Sequence, residues 1–593
     1  MISPINKKIA ALRQYMKEKN LHAFIVPSTD AHMSEYIPDH WNSRAWISGF
    51  TGSAGTVVIT HNKAGLWTDS RYFLQAIDEL SGSEIVLFKD RLPETPSIAD
   101  WLLNELKEED HIGIDGKVFS AKEALKLTEQ VSVKGLSVIP YHDPFETIWT
   151  DRPPLPQQSV FIFSEKYAGE SASSKIERIR KAIKEIGTES IFISTLDTIA
   201  WMLNIRGNDV PYNPVTVAHA YLSQDEAILF IDSRKLSDEV VDYLYSQHVT
   251  IHNYDKVSDY LSGINTSVCL DSSKIAFSIY NTIIKQNRVT DILLPVDLMK
   301  SQKNKIEIQG FRNAMVCDGV ALTKFFIWLE DAVPKGIVTE YTVGQKLKEF
   351  RSEQENFVGE SFETIAGYGA NAAKNHYHPT QENCLKVEPK GFLLIDSGGQ
   401  YLDGTTDITR TVALGEISRE MKIDYTLVLK GNIGLSKAIF PKGTRGSQID
   451  ILARKPMWEH GVNYLHGTGH GVGHYLNVHE GPHSIRPEEN PVTMHPGMIA
   501  SNEPGIYRDH QYGVRIENLM VTRLETKTEF GEFYSFETLT LCYIDTVPII
   551  WEMMTKEEIE WLNNYHRVVY NKLSPYLSED EKKWLKEKIT LSK

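Results

Sequence analysis

The feature that most limits what this chain can fold into is an echo within its first half. AFIVPSTD at 23–30 recurs as IFISTLD at 191–197, AWISGFTG at 45–52 as AWMLNIRG at 200–207, and LWTDSR, ending at Arg71, as LFIDSR, ending at Arg234. Three pairs in the same order and at nearly constant separation imply two related domains in tandem. Each copy alternates short β-rich runs (FIV and TVVIT; IFI and AILFI) with amphipathic stretches such as SSKIERIRKAIKEI, the pattern of an α/β layer structure with a sheet core. Turn residues mark the boundaries: DRPPLPQQS at 151–159 is proline-rich, and beyond VDLMKSQKNK a helical pattern begins near Ile306. The expected domains are residues 1–152, 153–302 and 303–593.

Composition narrows the class of partner. The 78 acidic side chains outnumber the 63 basic ones and leave a net charge of −15, with no long Lys/Arg run, so nucleic acid is not an expected partner. The four cysteines are far apart and form no C-x-x-C pair, which reads as a reducing compartment. The amino-terminal MISPINKKIAALRQYMKEKN spaces Ile5, Ile9, Leu12 and Met16 on one helical face but keeps Lys and Arg throughout, unlike a signal peptide. Charges such as Asp197 and Arg206 interrupt the most apolar stretches before the roughly 20 residues that a membrane span needs. The expectation is a cytoplasmic protein with no membrane partner.

Histidines, glycines and acids concentrate between Ala366 and Asn518. The apolar run GFLLI delivers Asp396, DSGGQYLDGT supplies turn residues, and TTDITRTVAL resumes alternation with Asp407 near its start. Either aspartate alone is ordinary turn chemistry. The arrangement then recurs: GMIASNE ends on Glu503, turns through PGIYRDHQYG, and returns in VRIENLMV, read as one strand with Arg515 and Glu517 on the same face. Four carboxylates brought together by two such hairpins would repel strongly or hold protons, unless cations joined them.

Between the hairpins lies LHGTGHGVGHYLNVHEGPH, where glycines at 467, 469, 471 and 473 argue for loop or closely approached backbone rather than helix. One neutral imidazole added to the four carboxylates balances two divalent cations, and so oxygen-rich a set favours a hard or borderline ion such as Mn²⁺. Two patterns in the region mislead. HEGPH fits H-E-x-x-H literally, but Gly481 and Pro482 forbid the helix that this zinc motif requires. GYGANA at 367–372 resembles a dinucleotide-binding turn but runs into NHYHP rather than a long helix, and reads as a plain loop.

Together LIDSGGQYLDGTTDITRT, YLHGTGHGVGHYLNVHEGP, NEPGIY and GVRIEN resemble the Xaa-Pro aminopeptidases (aminopeptidase P), pita-bread metallopeptidases related to methionine aminopeptidase, prolidase and creatinase; SGFTGSAGT and LWTDSRYFLQA resemble the first domain of the long, three-domain cytosolic type. The resemblance implies an α/β (α+β) chain of two creatinase-like domains followed by a pita-bread catalytic domain. It implies that Asp396, Asp407, His470, Glu503 and Glu517 ligate two metal ions, with Asp407 and Glu517 bridging. It makes His376 and His479 contacts to the peptide that assist proton movement, sets His466 in the pocket lining, and matches Arg71 to a substrate-contacting arginine. His378, His474 and His483 are left as structural residues, and Arg515 is expected to support a carboxylate ligand by hydrogen bonding.

The implied reaction is hydrolysis of the N-terminal Xaa-Pro bond by a water whose pKa two cations lower, with Glu503 handling its proton and a protonated group reaching the proline nitrogen. Peptides with proline at position two are the expected substrates, and a homodimer is expected from the family. Prolidase, acting on Xaa-Pro dipeptides, is the nearest alternative; a creatinase-like metal-free hydrolase and a pita-bread binding protein that has lost catalysis are the others.

Overall fold

The computed structural model describes residues 3–590. It divides into two compact units, Met1–Glu165 with Glu170–Asp297, and Lys166–Gly169 with Leu298–Lys593.

The first unit carries the duplication as geometry. Its first six-stranded sheet runs Ile85–Lys89, Ala64–Thr68, Thr56–Thr60, Ala23–Val26, His111–Asp115, Ser137–Tyr141, and its second runs Thr250–His252, Ala227–Ile231, Ala218–Ser223, Ser190–Ile193, Ser267–Leu270, Arg288–Asp291. Both share one pattern of directions. The central strand is antiparallel to its neighbour on one side and parallel to that on the other, and the outermost pairs are parallel. The echoed segments fall on equivalent elements: FIV and IFI on the two central strands, and TDSR and IDSR at the ends of Ala64–Thr68 and Ala227–Ile231. All four residues of Ala23–Val26 are buried, Phe24 and Val26 in one apolar cluster and Ala23 and Ile25 in another, as expected when helices cover both faces of a sheet. The amino-terminal helix Pro4–Glu18 contributes Ile9, Leu12, Tyr15 and Met16 to the first of these clusters.

The second unit opens with the helix Lys305–Ala332, started by a capping box in which the Asn304 side chain accepts from the Glu307 N–H and the Glu307 carboxylate accepts from the Asn304 N–H. Two strand pairs position the site. Phe392–Ser397 pairs antiparallel with Ile408–Ala413, and Ile499–Asn502 pairs antiparallel with Asn518–Thr528. Between the strands of each pair the chain makes an excursion: Gly399–Tyr401 with Gly404–Thr405 in the first, Gly505–Arg508 with Tyr512–Arg515 in the second. Among the described residues, no helix is long and apolar enough to cross a membrane.

Two local expectations are corrected and a third holds in part. VRIENLMV is not one strand. It breaks after Arg515, and the Glu517 N–H turns to the Thr409 carbonyl at 3.0 Å before pairing resumes at Asn518. Arg515 and Glu517, on either side of the break, are both buried. GYGANA is not plain loop, because Gly369–Ala373 forms a short 3₁₀ turn after the strand Ile365–Tyr368. The glycine-rich stretch is partly strand, Gly469–Gly471, and its glycines meet backbone closely: a Cβ on Gly469 would lie 2.0 Å from the Ser501 carbonyl oxygen.

Candidate metal centre

The two strand pairs each carry two of the acids at or near their ends. Asp396 sits on Phe392–Ser397 opposite Thr409, and Asp407 immediately precedes Ile408–Ala413. Glu503 immediately follows Ile499–Asn502, and Glu517 immediately precedes Asn518–Thr528. His470 enters from the middle of Gly469–Gly471.

The His470 Nε2 lies 3.4 Å from an oxygen of Asp407 and 3.4 Å from one of Glu503. Donor atoms of Asp407, His470 and Glu517 all lie within 4.8 Å of one another, spacing that suits a shared cation. The His470 Nδ1 contacts the Gly471 carbonyl at 2.9 Å; donation there fixes the ring with its Nε2 toward the carboxylates. Ser501 accepts from the His470 N–H at 3.0 Å and donates to Glu503 at 3.1 Å, linking two members of the set.

The electrostatics are those of crowded, dry acids. Burial and then the neighbouring Asp407, Glu503 and Asp396 push Glu517 well above the ordinary carboxylic range. Burial also raises Asp396 and Glu503, with Arg515 pulling Asp396 back and His470 and Arg515 pulling Glu503 back. Burial disfavours the charged form of His470, but the Asp407 and Glu503 carboxylates outweigh it and lift the imidazole to about 9. Two acceptor atoms, Asp396 Oδ1 and Glu517 Oε1, are buried without a hydrogen-bond partner. Such oxygens are costly when left unpaired. Four acids, two orphaned oxygens and one imidazole, which gives up its Nε2 proton when it ligates, fit a pair of divalent cations.

Arg515 supports a carboxylate as expected and reaches three further groups. Its Nη2 donates to Asp396 at 2.5 Å and to the Asn375 carbonyl at 3.3 Å, its Nη1 to the Tyr507 hydroxyl at 2.6 Å, and its Nε to the Thr409 hydroxyl at 3.1 Å. Thr409 passes its own proton to Glu517 at 2.8 Å. Tyr507 reaches His466 Nε2 at 2.9 Å, so a continuous hydrogen-bonded path joins His466, Tyr507, Arg515 and Asp396. Tyr507 and Thr409 were not singled out from the sequence. Both lie inside motifs that were, GIY and DITRT, but nothing in a one-dimensional pattern distinguishes a hydroxyl aimed at a ligand from one aimed at a strand neighbour.

His479 is half-buried, with its ring centroid 4.3 Å from that of His470. His376 is half-buried in the turn after Gly369–Ala373, beside the Asn375 carbonyl that Arg515 holds. Arg71 belongs to the first unit, where both Asp69 oxygens accept from its guanidinium at 2.9 and 2.8 Å and Glu35 lies 3.6 Å away. His483 is buried with its Nε2 2.7 Å from the Ile499 carbonyl oxygen, and His474 is buried against Phe311, both in keeping with structural roles. The literal H-E-x-x-H runs from His479 into the strand Glu480–Ile485, with Glu480 buried between Lys300 and Lys303.

Comparison with known proteins agrees with this geometry. Residues 309–523 match metallopeptidase family M24 and 532–590 its C-terminal region, while 8–148 and 151–307 each match a creatinase/prolidase N-terminal domain. The chain is 41% identical to a probable Xaa-Pro aminopeptidase P of Botryotinia fuckeliana, over 98% of this chain and 92% of that protein. It is 40% identical to aminopeptidase P2 of Arabidopsis thaliana, over 98% of this chain and 88% of that one. Among solved structures, the X-prolyl aminopeptidase of Caenorhabditis elegans, described as a cytosolic enzyme with a di-nuclear active site, superposes with a TM-score of 0.94 at 35% identity, covering 99% of both chains. An Xaa-Pro dipeptidase of Bacillus anthracis matches at 25% identity and a TM-score of 0.50, over 62% of this chain and 98% of its own. The chain belongs to the Xaa-Pro aminopeptidase P family and is a metalloaminopeptidase.

Proposed function

We propose that this chain releases the first residue from peptides with proline at position two, using two divalent cations that Asp396, Asp407, His470, Glu503 and Glu517 would hold. The observation that supports the reading is the close approach of Asp407, His470 and Glu517, with Glu503 3.4 Å from His470 and two buried carboxylate oxygens, Asp396 Oδ1 and Glu517 Oε1, that accept no hydrogen bond. When bound, such cations, for which the oxygen-rich donor set favours Mn²⁺, would supply a water of lowered pKa and polarise the carbonyl under attack.

The chain's own groups handle protons and position. Glu503, raised above the ordinary carboxylic range by burial, is suited to accept the proton of the attacking water. The proline nitrogen is a poor leaving group unless protonated, and His479 and His376 are the imidazoles assigned to contact the peptide and deliver that proton. His466, tied through Tyr507 and Arg515 to Asp396, lines the pocket in a fixed orientation. Arg71 is assigned as a substrate contact on its TDSRYF motif. Proline has a fixed ring and, inside a peptide, no N–H, so a pocket shaped for the ring and lacking an acceptor there selects it.

The division into residues 1–152, 153–302 and 303–593 is part of the same reading, as are a cytoplasmic location and a homodimeric state. The relatives that match over 98% and 99% of this chain are Xaa-Pro aminopeptidases, which supports an aminopeptidase over a prolidase. Hydrolysis of Xaa-Pro-Yaa tripeptides compared with Xaa-Pro dipeptides tests the choice: the tripeptide is expected to have the higher kcat/KM, and a preference for the dipeptide would favour prolidase.

A further inference from the structure

Outside the metal centre, one buried carboxylate gathers an unusual number of donors. Glu340, at the start of the helix Glu340–Ser352, is fully buried. Its Oε1 accepts from the Tyr368 N–H at 2.7 Å and the Asn371 amide at 3.2 Å. Its Oε2 accepts from the same Asn371 amide at 3.0 Å, the Tyr377 hydroxyl at 2.9 Å and the Leu385 N–H at 2.7 Å. All these donors belong to one stretch, 368–385, and His376 lies inside it. The other anchor of that stretch is Arg515, whose Nη2 donates both to the Asn375 carbonyl and to Asp396. His376 is therefore flanked by two residues held from opposite sides, Asn375 by the metal-centre arginine and Tyr377 by Glu340. The 3₁₀ turn beneath is pressed close to the site as well, since a Cβ on Gly513 would lie 1.9 Å from the Ala372 carbonyl oxygen.

We infer that Glu340 is a positioning residue for catalysis, fixing the 368–385 stretch so that His376 is presented to the peptide at a set distance from the metal centre. This rests on the role given to His376 under the proposed function. The geometry makes the glutamine variant informative. Either orientation of the introduced amide sets its NH₂ against a backbone N–H, that of Tyr368 in one case and that of Leu385 in the other, so Glu340→Gln releases the stretch with almost no change in volume.

The test is a double-mutant cycle in the full-length, Mn²⁺-loaded chain, with kcat and KM on an Xaa-Pro-Yaa peptide and amide hydrogen exchange of 368–385 read in parallel. Removing a positioned proton-transfer group costs about 10²–10⁴-fold, and its misplacement less, so Glu340→Gln is expected to lower kcat about 10- to 100-fold and to speed exchange in 368–385. In a His376→Ala background the same substitution is expected to change kcat by no more than about twofold, because the group it positions is gone. Equal losses in both backgrounds, or full activity with Glu340→Gln alone, would overturn the inference. Wild-type kcat in His376→Ala alone would instead overturn the role assigned to His376. Should Glu340→Gln fail to fold, Tyr377→Phe, which removes one hydroxyl from the Glu340 cluster, must show the same coupling to His376, and its absence refutes the proposal.

Discussion

At the scale of single residues, the metal centre depends on hydroxyls as much as on its five donors. Thr409 accepts from Arg515 and donates to Glu517, so it settles which Glu517 oxygen is occupied and which is left open. Substitutions that remove such outer partners typically cost about 10- to 100-fold in metal affinity or activity. Thr409→Val, which keeps the shape and deletes the hydroxyl, is predicted to weaken Mn²⁺ binding by about that factor in calorimetric titration; unchanged affinity would show that Glu517 needs no orienting partner. A charge partner acts differently. Glu480 is buried with Lys300 and Lys303 and lies next to His479 in the chain. Breaking a buried pair by removing one member costs about 3–5 kcal/mol, so Glu480→Gln is predicted to lower unfolding free energy by that order in denaturant titration, whether or not metal is bound. A loss below about 1 kcal/mol would mean that water reaches these ammonium groups.

At the scale of elements, the helix Lys556–Leu573 is docked by His566, whose Nε2 accepts from the Ile544 N–H at 3.1 Å. Burial, then Arg410, hold this imidazole down at about 4. An unfolded histidine protonates near about 6.5, so between these values the unfolded chain binds more protons and stability falls as pH drops. The loss attributable to His566 is about 3 kcal/mol at 1.36 kcal/mol per pH unit, complete near pH 4. In His566→Gln, which keeps an acceptor but does not titrate, the fall in unfolding free energy between pH 6.5 and 4 is predicted to be smaller by about that amount; identical pH profiles would place the sensitivity elsewhere. Elements differ in how legible they were. The duplicated strands could be read because buried central strands leave continuous apolar runs, and the helix Lys305–Ala332 because its pattern is local. The break at 516–517 could not be read, since VRIENLMV alternates well enough for one strand and only the hydrogen bond from Glu517 to Thr409, 108 positions away, turns the chain. The acids and His470 were legible as motifs. The path through Tyr507 and Thr409 and the Glu340 cluster were not, because each joins segments far apart in sequence.

At the scale of the whole molecule, the apolar clusters fall into two sets. Those of the first unit include one that mixes Ala121 from the first sheet's region with Phe192, Tyr221 and Phe230 from the second, and backbone bonds from Ala121 to Ile275 (3.0 Å) and from Phe277 to Phe119 (2.8 Å) join the same regions. The main cluster of the second unit draws only on its own residues. Calorimetry is therefore predicted to resolve two transitions rather than three, and chelation to lower only that of the second unit, since a ligand stabilises what binds it by about 2.7 kcal/mol at a hundredfold excess over Kd. A chelator-induced shift of both transitions would contradict this separation. The central claim is that Asp396, Asp407, His470, Glu503 and Glu517 hold the cations on which turnover depends. Its most direct measurement is hydrolysis of an Arg-Pro-Pro peptide by the chain before chelation, after complete removal of metal, and after stepwise return of Mn²⁺, with bound metal quantified at each point. The account predicts no turnover in the metal-free chain and recovery that saturates near two ions per chain; sustained turnover by the fully demetallated chain would contradict it.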